Sequence, residues 1–191
     1  MKNIFVIRHG ETDSNKEDRY LGRTDESLNA IGINQAKKLA KRTSDLDIEI
    51  IYCSPLKRAI ETTKFIKTNH TCELVIDEHF IERSMGVYEG LTKEEAKNKY
   101  ADLYAKNITR IFNDAPPNGE TINEVIKRVF AGLNEIKNQN KFSNILISTH
   151  GFIAKVINKY FNPKISDQDF FDFSLTNAEM KKYNFDDYNK I

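Results

Sequence analysis

The most informative stretch of the chain is residues 4–12, Ile4-Phe5-Val6-Ile7-Arg8-His9-Gly10-Glu11-Thr12. Its four apolar residues predict a buried strand, so that Arg8 and His9 follow at the carboxyl end of that strand. In open α/β sheets, ligands bind at this end of the strands. Arginine offers a charged planar fork that suits phosphate oxygens, and histidine is a nitrogen nucleophile near neutral pH. The pair therefore suggests phosphoryl transfer through the histidine.

Length and composition indicate one domain that spans residues 1–191. The 29 basic and 28 acidic residues leave a formal net charge of +1, so no global field would recruit nucleic acid or an anionic membrane. The two cysteines, Cys53 and Cys72, fit neither a metal site nor a disulfide framework. Neither a signal peptide nor an apolar run of about 18 residues is recognisable. We expect a soluble, cytoplasmic protein without nucleic-acid or membrane partners.

Strand-like apolar runs alternate with segments of helical periodicity. The strand-like runs are residues 4–7, 48–53, 74–76, 144–148 and, as a possible edge strand, 180–185. The helical segments are residues 28–42, a helix that starts at Ser54-Pro55, two helices that begin with the capping boxes Thr92-x-x-Glu95 and Thr121-x-x-Glu124, and residues 152–161. This order predicts an α/β fold with three layers, α/β/α. Its sheet would be mostly parallel, with helices on both faces and an antiparallel edge strand.

Three further segments place reactive side chains after strands. His150 stands in Thr149-His150-Gly151, directly after the 144–148 strand. Arg58 falls in the first turn of a helix whose predicted N-cap is Ser54, where backbone amides already favour an anion. Glu82 follows apolar residues that would raise its pKa, as a general acid needs. Each also has an ordinary interpretation: Arg58 as a solvated helix residue, and Glu82 with Arg83 as surface charges.

Taken together, these motifs resemble those of the histidine phosphatase superfamily, which includes the cofactor-dependent phosphoglycerate mutases. The resemblance runs from Asn3 to at least Asn177. The motifs that carry it are Arg8-His9-Gly10-Glu11-Thr12 with Asn15, Tyr20 to Asp25, Ser54-Pro55-x-x-Arg58-Ala59, Glu82 ahead of Gly86 and Glu89-Gly90, and Thr149-His150-Gly151.

The resemblance implies a role for each matched residue. His9 would attack phosphorus and become phosphohistidine, and Glu82 would protonate the leaving oxygen and then activate water. The implied phosphate ligands are Arg8, Asn15, Arg58 and His150. The implied substrate-binding residues are Thr12, Leu21, Gly22 and Gly151.

We expect neither a metal nor a cofactor. Two guanidiniums and a protonated His150 would balance the charge of a phosphoryl group. The same positive neighbours would lower the pKa of His9 and keep its lone pair free. The group that accepts a hydrogen bond from the second ring nitrogen of His9 is not evident from the sequence.

Within the superfamily, the sequence favours a phosphatase over a mutase. Lys93 matches a mutase lysine, but the position of the mutase arginine pair reads Thr109-Arg110. The expected activity is hydrolysis of a small phosphomonoester. A 2,3-bisphosphoglycerate-dependent phosphoglycerate mutase is the alternative, and a non-catalytic phosphate-binding module is a more distant one, because simple binding needs neither a nucleophile nor an acid. Neither the exact substrate nor the oligomeric state follows from the sequence.

Overall fold

A computed structural model describes residues 2–139 and 141–188 of the chain. Its centre is a five-stranded sheet with the strand order β3-β2-β4-β1-β5. The strands are β1 (Asn3–Arg8), β2 (Ile50–Cys53), β3 (Glu73–Ile76), β4 (Asn144–Thr149) and β5 (Met180–Asn184). All neighbouring strands are parallel except β5, which is antiparallel to β1. The predicted edge strand is confirmed.

The register of the sheet brings three strand ends together. Arg8 in β1 pairs with Thr149 in β4, and Ser148 in β4 pairs with Cys53 in β2. The segments that follow these three strands therefore leave the sheet at the same edge, although they are far apart in sequence.

Helices cover both faces of the sheet, as predicted. The helices of the described residues are α1 (Asp13–Lys16), α2 (Ala30–Thr43), α3 (Lys57–Lys67), α4 (Lys93–Lys99), α5 (Ala101–Ala105), α6 (Ile122–Asn138), α7 (Gly151–Phe161), α8 (Asp167–Asp172) and α9 (Phe185–Tyr188). In β1, Ile4 and Val6 pack with α6 and α7, whereas Phe5 and Ile7 pack with α2 and α3. Alternate side chains of one strand point to opposite faces, which gives the three-layer α/β/α arrangement. No helix in the described part of the chain is long and apolar enough to cross a membrane.

Local sequence explains where two of the helices begin. The hydroxyls of Thr92 and Thr121 accept hydrogen bonds from the backbone of Glu95 and Glu124, and both predicted capping boxes are present. The prediction of Ser54 as an N-cap is wrong. Helix α3 begins at Lys57 after Leu56, without a side-chain cap. The Ser54 hydroxyl is engaged elsewhere, as described below.

A small apolar cluster lies in the segment between β3 and α6. Tyr88, Ala96 and Ile108 form its buried centre. Gly86 has a φ of +53° and lies so close to the Pro117 carbonyl that a β-carbon would be 2.1 Å from its oxygen. Because only glycine fits this left-handed close approach, Gly86 joins the cluster to the proline-containing loop.

Candidate active site

His9 follows β1 and is 2% exposed. Its Nδ1 lies 2.6 Å from the carbonyl oxygen of Gly10. Because a carbonyl can only accept, Nδ1 donates this hydrogen bond, and Nε2 carries the lone pair. Burial and the neighbouring guanidiniums of Arg58 and Arg8 hold the pKa of His9 well below its usual range. The geometry therefore provides a neutral imidazole and identifies the acceptor of its second nitrogen.

Arg8 reaches the site from the end of β1. Its Nη1 donates to the Leu175 carbonyl at 2.9 Å. Its buried Nε has no hydrogen-bond partner within residues 2–139 and 141–188. A β-carbon at Gly151 would lie 3.4 Å from the Arg8 guanidinium carbon, so the backbone at Gly151 passes close to this group.

Arg58, in the first turn of α3, is fully buried. Its Nη1 donates to the Thr24 carbonyl at 2.7 Å, and its Nη2 donates to the Gly22 carbonyl at 2.8 Å. Each Nη retains a second N–H, so the guanidinium is fixed in orientation and can still donate to a ligand. The ordinary interpretation of Arg58 as a solvated residue does not hold.

His150 lies behind this guanidinium, with its ring centroid 5.1 Å from that of His9. Its Nδ1 accepts from Arg58 Nε at 3.2 Å, and its Nε2 lies 2.6 Å from the Ser54 hydroxyl. Burial and the charge of Arg58 hold the pKa of His150 well below its usual range. The expectation of a protonated His150 is therefore wrong for this arrangement, because a cation would face Arg58 directly in a buried site.

Asn15 and Thr12 form the start of α1. The Asn15 side-chain oxygen accepts from Asn177 Nδ2 at 3.0 Å, which leaves the Asn15 amide nitrogen available to a ligand. Thr12 is completely buried, and its hydroxyl caps α1 by accepting from the Asn15 backbone. The structure thus places Asn15 at the site cavity and Thr12 beneath it.

The loop with Leu21 and Gly22 borders the cavity and is tied down by Glu89. The Glu89 carboxylate accepts from the backbone of Arg23 at 3.1 Å and from the backbone of Met85 at 2.9 Å. It also accepts from the hydroxyls of Ser84 at 3.2 Å and Thr24 at 3.4 Å. The same loop supplies the carbonyls that hold Arg58. Glu89 therefore connects the 84–89 segment to the anion pocket, by which we mean the cations Arg8 and Arg58 beside His9.

Glu82 lies across the cavity. Its carboxylate accepts from the Arg83 backbone at 2.9 Å and from the Phe152 backbone at 3.4 Å. Burial raises the pKa of Glu82, although these hydrogen bonds and the charges of Arg58 and Arg8 oppose the shift. The net direction favours a carboxylic acid that holds its proton at higher pH than an exposed glutamate.

These side chains surround a cavity of about 240 Å³. Its lining is Arg8, His9, Asn15, Arg19, Tyr20, Leu21, Gly22, Arg58, Glu82, Arg83, Met85, Gly151 and Phe152. All the residues singled out from the sequence are part of this lining except Thr12 and His150, which lie behind it.

Arg83 is the main residue that the sequence interpretation left out. It is 1% exposed, and its guanidinium lies over the Phe152 ring, 5.0 Å from the ring centroid. Its Nε donates to the Glu120 carbonyl, and its Nη1 donates to the Thr109 carbonyl. Burial lowers the pKa of Arg83 to about 10. Nothing in the sequence separates this buried arginine from an ordinary surface one.

Comparison with known proteins identifies the family of the chain. The profile of the histidine phosphatase superfamily, branch 1, matches residues 4–191. The phosphatase PhoE of Bacillus subtilis is 35% identical over 151 residues, which are 79% of this chain and 72% of PhoE. A 2,3-bisphosphoglycerate-dependent phosphoglycerate mutase of Buchnera aphidicola is 31% identical over an alignment of 221 positions, gaps included, that covers 99% of this chain and 96% of the mutase.

A solved structure shows the same fold. YhfR of Bacillus stearothermophilus superposes with a TM-score of 0.87 at 25% identity, covering 96% of this chain and 91% of that protein. The chain therefore belongs to branch 1 of the histidine phosphatase superfamily.

Proposed function

We propose that this phosphatase hydrolyses a small phosphomonoester through a phosphohistidine at His9. The observation that most supports this proposal is the hydrogen bonding and lowered pKa of the His9 ring. Its Nδ1 donates to Gly10, which leaves the lone pair on Nε2, its pKa is lowered, and His9 lines the same cavity as Arg8 and Arg58. A neutral nitrogen nucleophile beside two fixed cations suits attack on the phosphorus of a phosphate dianion.

The chemistry divides between two steps. Nε2 of His9 forms a bond to phosphorus as the bond to the leaving oxygen breaks, and protonated Glu82 gives its proton to that oxygen. Glu82, now a carboxylate, takes a proton from a water whose oxygen attacks the phosphohistidine. Phosphate leaves, and His9 and Glu82 return to their starting states. Arg8, Arg58 and Asn15 hold the phosphoryl oxygens throughout, and we expect no metal or cofactor requirement.

Phosphoglycerate mutase activity is the second candidate, since the Buchnera mutase aligns over almost the whole chain. Lys93, Thr109 and Arg110 line one cavity beside the site. A mutase must retain its bisphosphate. At the position of the mutase arginine pair this chain has Thr109-Arg110, so one of the two arginines is missing. We therefore favour water as the acceptor of the phosphoryl group.

Hydrolysis of p-nitrophenyl phosphate in the presence of EDTA tests the proposal. We expect turnover by the wild type and none by His9→Ala. His79→Asn serves as the matched control, because His79 pairs with Asp77 outside the cavity lining. Equal inactivity of wild type and His9→Ala toward a broad phosphomonoester panel would instead support a binding module. Isomerisation of phosphoglycerate that requires added 2,3-bisphosphoglycerate would support the mutase.

A further inference from the structure

A second cavity, of about 340 Å³, lies beside the catalytic cavity. Tyr20 lines both, so the two spaces share a wall. The second cavity is lined by Tyr20, Tyr88, Lys93, Tyr104, Asn107, Ile108, Thr109 and Arg110. Its volume falls at the lower end of the range of about 300–1,000 Å³ that is usual for small-molecule sites.

The polar groups at the wall of this cavity include three phenols. Tyr88 is completely buried, and its hydroxyl has no hydrogen-bond partner in the part of the chain that the structure describes. Tyr20 and Tyr104 are only partly buried. Burial and the nearness of the Tyr104 phenol raise the pKa of both Tyr20 and Tyr88. Tyr20 and Tyr88 are therefore neutral near pH 7, and each of the three hydroxyls can donate one hydrogen bond and accept another.

The charged groups that line the cavity lie at its rim. Lys93 is exposed and pairs with Asp18 at 2.7 Å. Arg110 is also exposed, and its guanidinium lies 4.4 Å from the centroid of the Phe171 ring. Because neither cation is buried, the cavity does not offer a desolvated countercharge to a carboxylate.

The wall of the second cavity is connected to the catalytic cavity. The Tyr88 ring lies between Tyr20, at a centroid distance of 5.3 Å, and Tyr100, at 5.8 Å. The carbonyl of Thr109 accepts from Arg83, which lines the catalytic cavity. The alcohol portion of a substrate whose phosphate is at His9 would pass Tyr20 to reach Tyr88 and Tyr104.

We propose that the second cavity binds the alcohol portion of the substrate and that this portion is polyhydroxylated, as in a sugar phosphate or polyol phosphate. This inference rests on the proposed hydrolase function. Hydroxyl groups both donate and accept, as the phenols do, and one of them would give the Tyr88 hydroxyl the partner it lacks. An alkyl chain would leave that hydroxyl unpaired, as it is without a ligand, so it would gain no hydrogen bond there.

The test compares primary-alcohol phosphates that differ in the rest of the molecule: ribitol 5-phosphate, n-pentyl phosphate and O-phosphoserine. We measure kcat/KM with the wild type and Kd by calorimetry with His9→Ala, which does not depend on turnover. We expect ribitol 5-phosphate to exceed both others by at least about tenfold in kcat/KM and in affinity, as one or two hydrogen bonds to the ligand would give.

Tyr88→Phe and Tyr104→Phe remove single hydroxyls. Each should lower kcat/KM for ribitol 5-phosphate by about 3- to 10-fold, mainly through KM, and should change kcat/KM for n-pentyl phosphate, whose chain forms no hydrogen bond with a phenol, much less. The Tm of Tyr88→Phe should be equal to or above that of the wild type, because the removed hydroxyl is unpaired. Tyr100→Phe is the matched control, since Tyr100 packs on Tyr88 but does not line the cavity.

Three results would overturn the inference: pentyl phosphate as good as ribitol 5-phosphate, a preference for phosphoserine, or a ribitol preference that survives both Tyr→Phe changes. Failure of the proposed function looks different. In that case the wild type would turn over no phosphomonoester, p-nitrophenyl phosphate included, while the calorimetric comparison with His9→Ala would still decide the ligand preference.

Discussion

At the scale of single residues, burial shifts the pKa values of His9 and Glu82 in opposite directions. Burial lowers the pKa of His9 and raises that of Glu82, since in each case it disfavours the charged form. Arg58 and Arg8 strengthen the shift at His9 and limit the shift at Glu82. The two shifts favour a neutral base and a carboxylic acid that keeps its proton above the usual range of a glutamate, the pair that the proposed first step requires.

Replacing Glu82 should affect substrates according to their leaving groups. Glu82→Gln cannot give a proton, so we expect kcat/KM for an alkyl phosphate to fall by about 100- to 10,000-fold. The loss with p-nitrophenyl phosphate should be much smaller, because nitrophenolate departs without a proton. Steady-state kinetics on the two substrates check this, and equal losses on both would contradict an acid role.

The pH dependence of kcat/KM should have an alkaline limb that reports Glu82. Its pKa is raised, so the protonated fraction persists above the usual range of a glutamate and then falls as pH rises through that pKa. The rate with an alkyl phosphate should decline accordingly. In Glu82→Gln the remaining rate should lack this limb. An identical alkaline limb in the variant would assign it to another group.

At the scale of elements, the sheet register explains why the sequence located much of the site. Arg8 is the last residue of β1, and His9 and His150 directly follow β1 and β4, whose carboxyl ends are in register. Arg58 lies in the first turn of the helix after β2. Strand-end placement can be read from apolar runs. The contacts of the intervening loops cannot, because Arg58 meets the carbonyls of Gly22 and Thr24 across 36 and 34 positions.

Ser54 and Arg83 show the same limit. The pattern at Ser54-Pro55 is typical of a helix start, yet the hydroxyl lies against His150, 96 positions away. In the sequence Arg83 looks like a surface residue. In the structure it is buried and donates hydrogen bonds to the carbonyls of Glu120 and Thr109. Local propensity identifies elements, whereas these partners are determined by tertiary packing.

Glu89 should act on the anion pocket through the 21–24 loop. Glu89→Ala removes the acceptor of the Arg23 and Met85 backbone amides, so the carbonyls that orient Arg58 lose their support. We expect KM for p-nitrophenyl phosphate and the inhibition constant of inorganic phosphate to rise about tenfold, as the loss of one charged hydrogen bond would give. The change in kcat should be smaller.

Glu89→Gln is the informative companion, because its amide oxygen can still accept from both amides and should restore most of the phosphate affinity. Glu94→Ala, an exposed change in α4, is the control. If Glu89→Ala lowers Tm but leaves phosphate inhibition unchanged, the residue contributes only to stability.

At the scale of the whole molecule, charge is concentrated locally. The chain carries a formal net charge of only +1, yet Arg8, Arg58 and Arg83 line one cavity with Glu82. Such buried cations suit a dianionic ligand and cost folding free energy without one. His9 and His150 make the folded state less stable in acid, because neither histidine takes up a proton easily in the folded state.

Stability should therefore fall as pH decreases below the pKa of an unfolded histidine, about 6.5. There the unfolded chain binds protons that the folded chain does not, so the free energy of unfolding decreases with falling pH, by up to about 1.4 kcal/mol per pH unit for each histidine. Glu82 acts in the opposite direction, so the test is the difference between variants. We measure the free energy of unfolding in urea at several pH values between 7 and 5. As the pH falls, this free energy should decrease less steeply for His9→Gln and His150→Gln than for wild type or His79→Asn. Equal slopes in all four would refute the buried neutral histidines.

The phosphohistidine is the centre of the proposed mechanism, and rapid quenching detects it most directly. Wild type is mixed with a ³²P-labelled phosphomonoester, quenched in alkali within milliseconds, and digested for peptide mapping. We predict label on the peptide that contains His9, its loss during a chase with unlabelled substrate, and no label in His9→Ala. Turnover by the wild type without label on His9 at any quench time would contradict the mechanism.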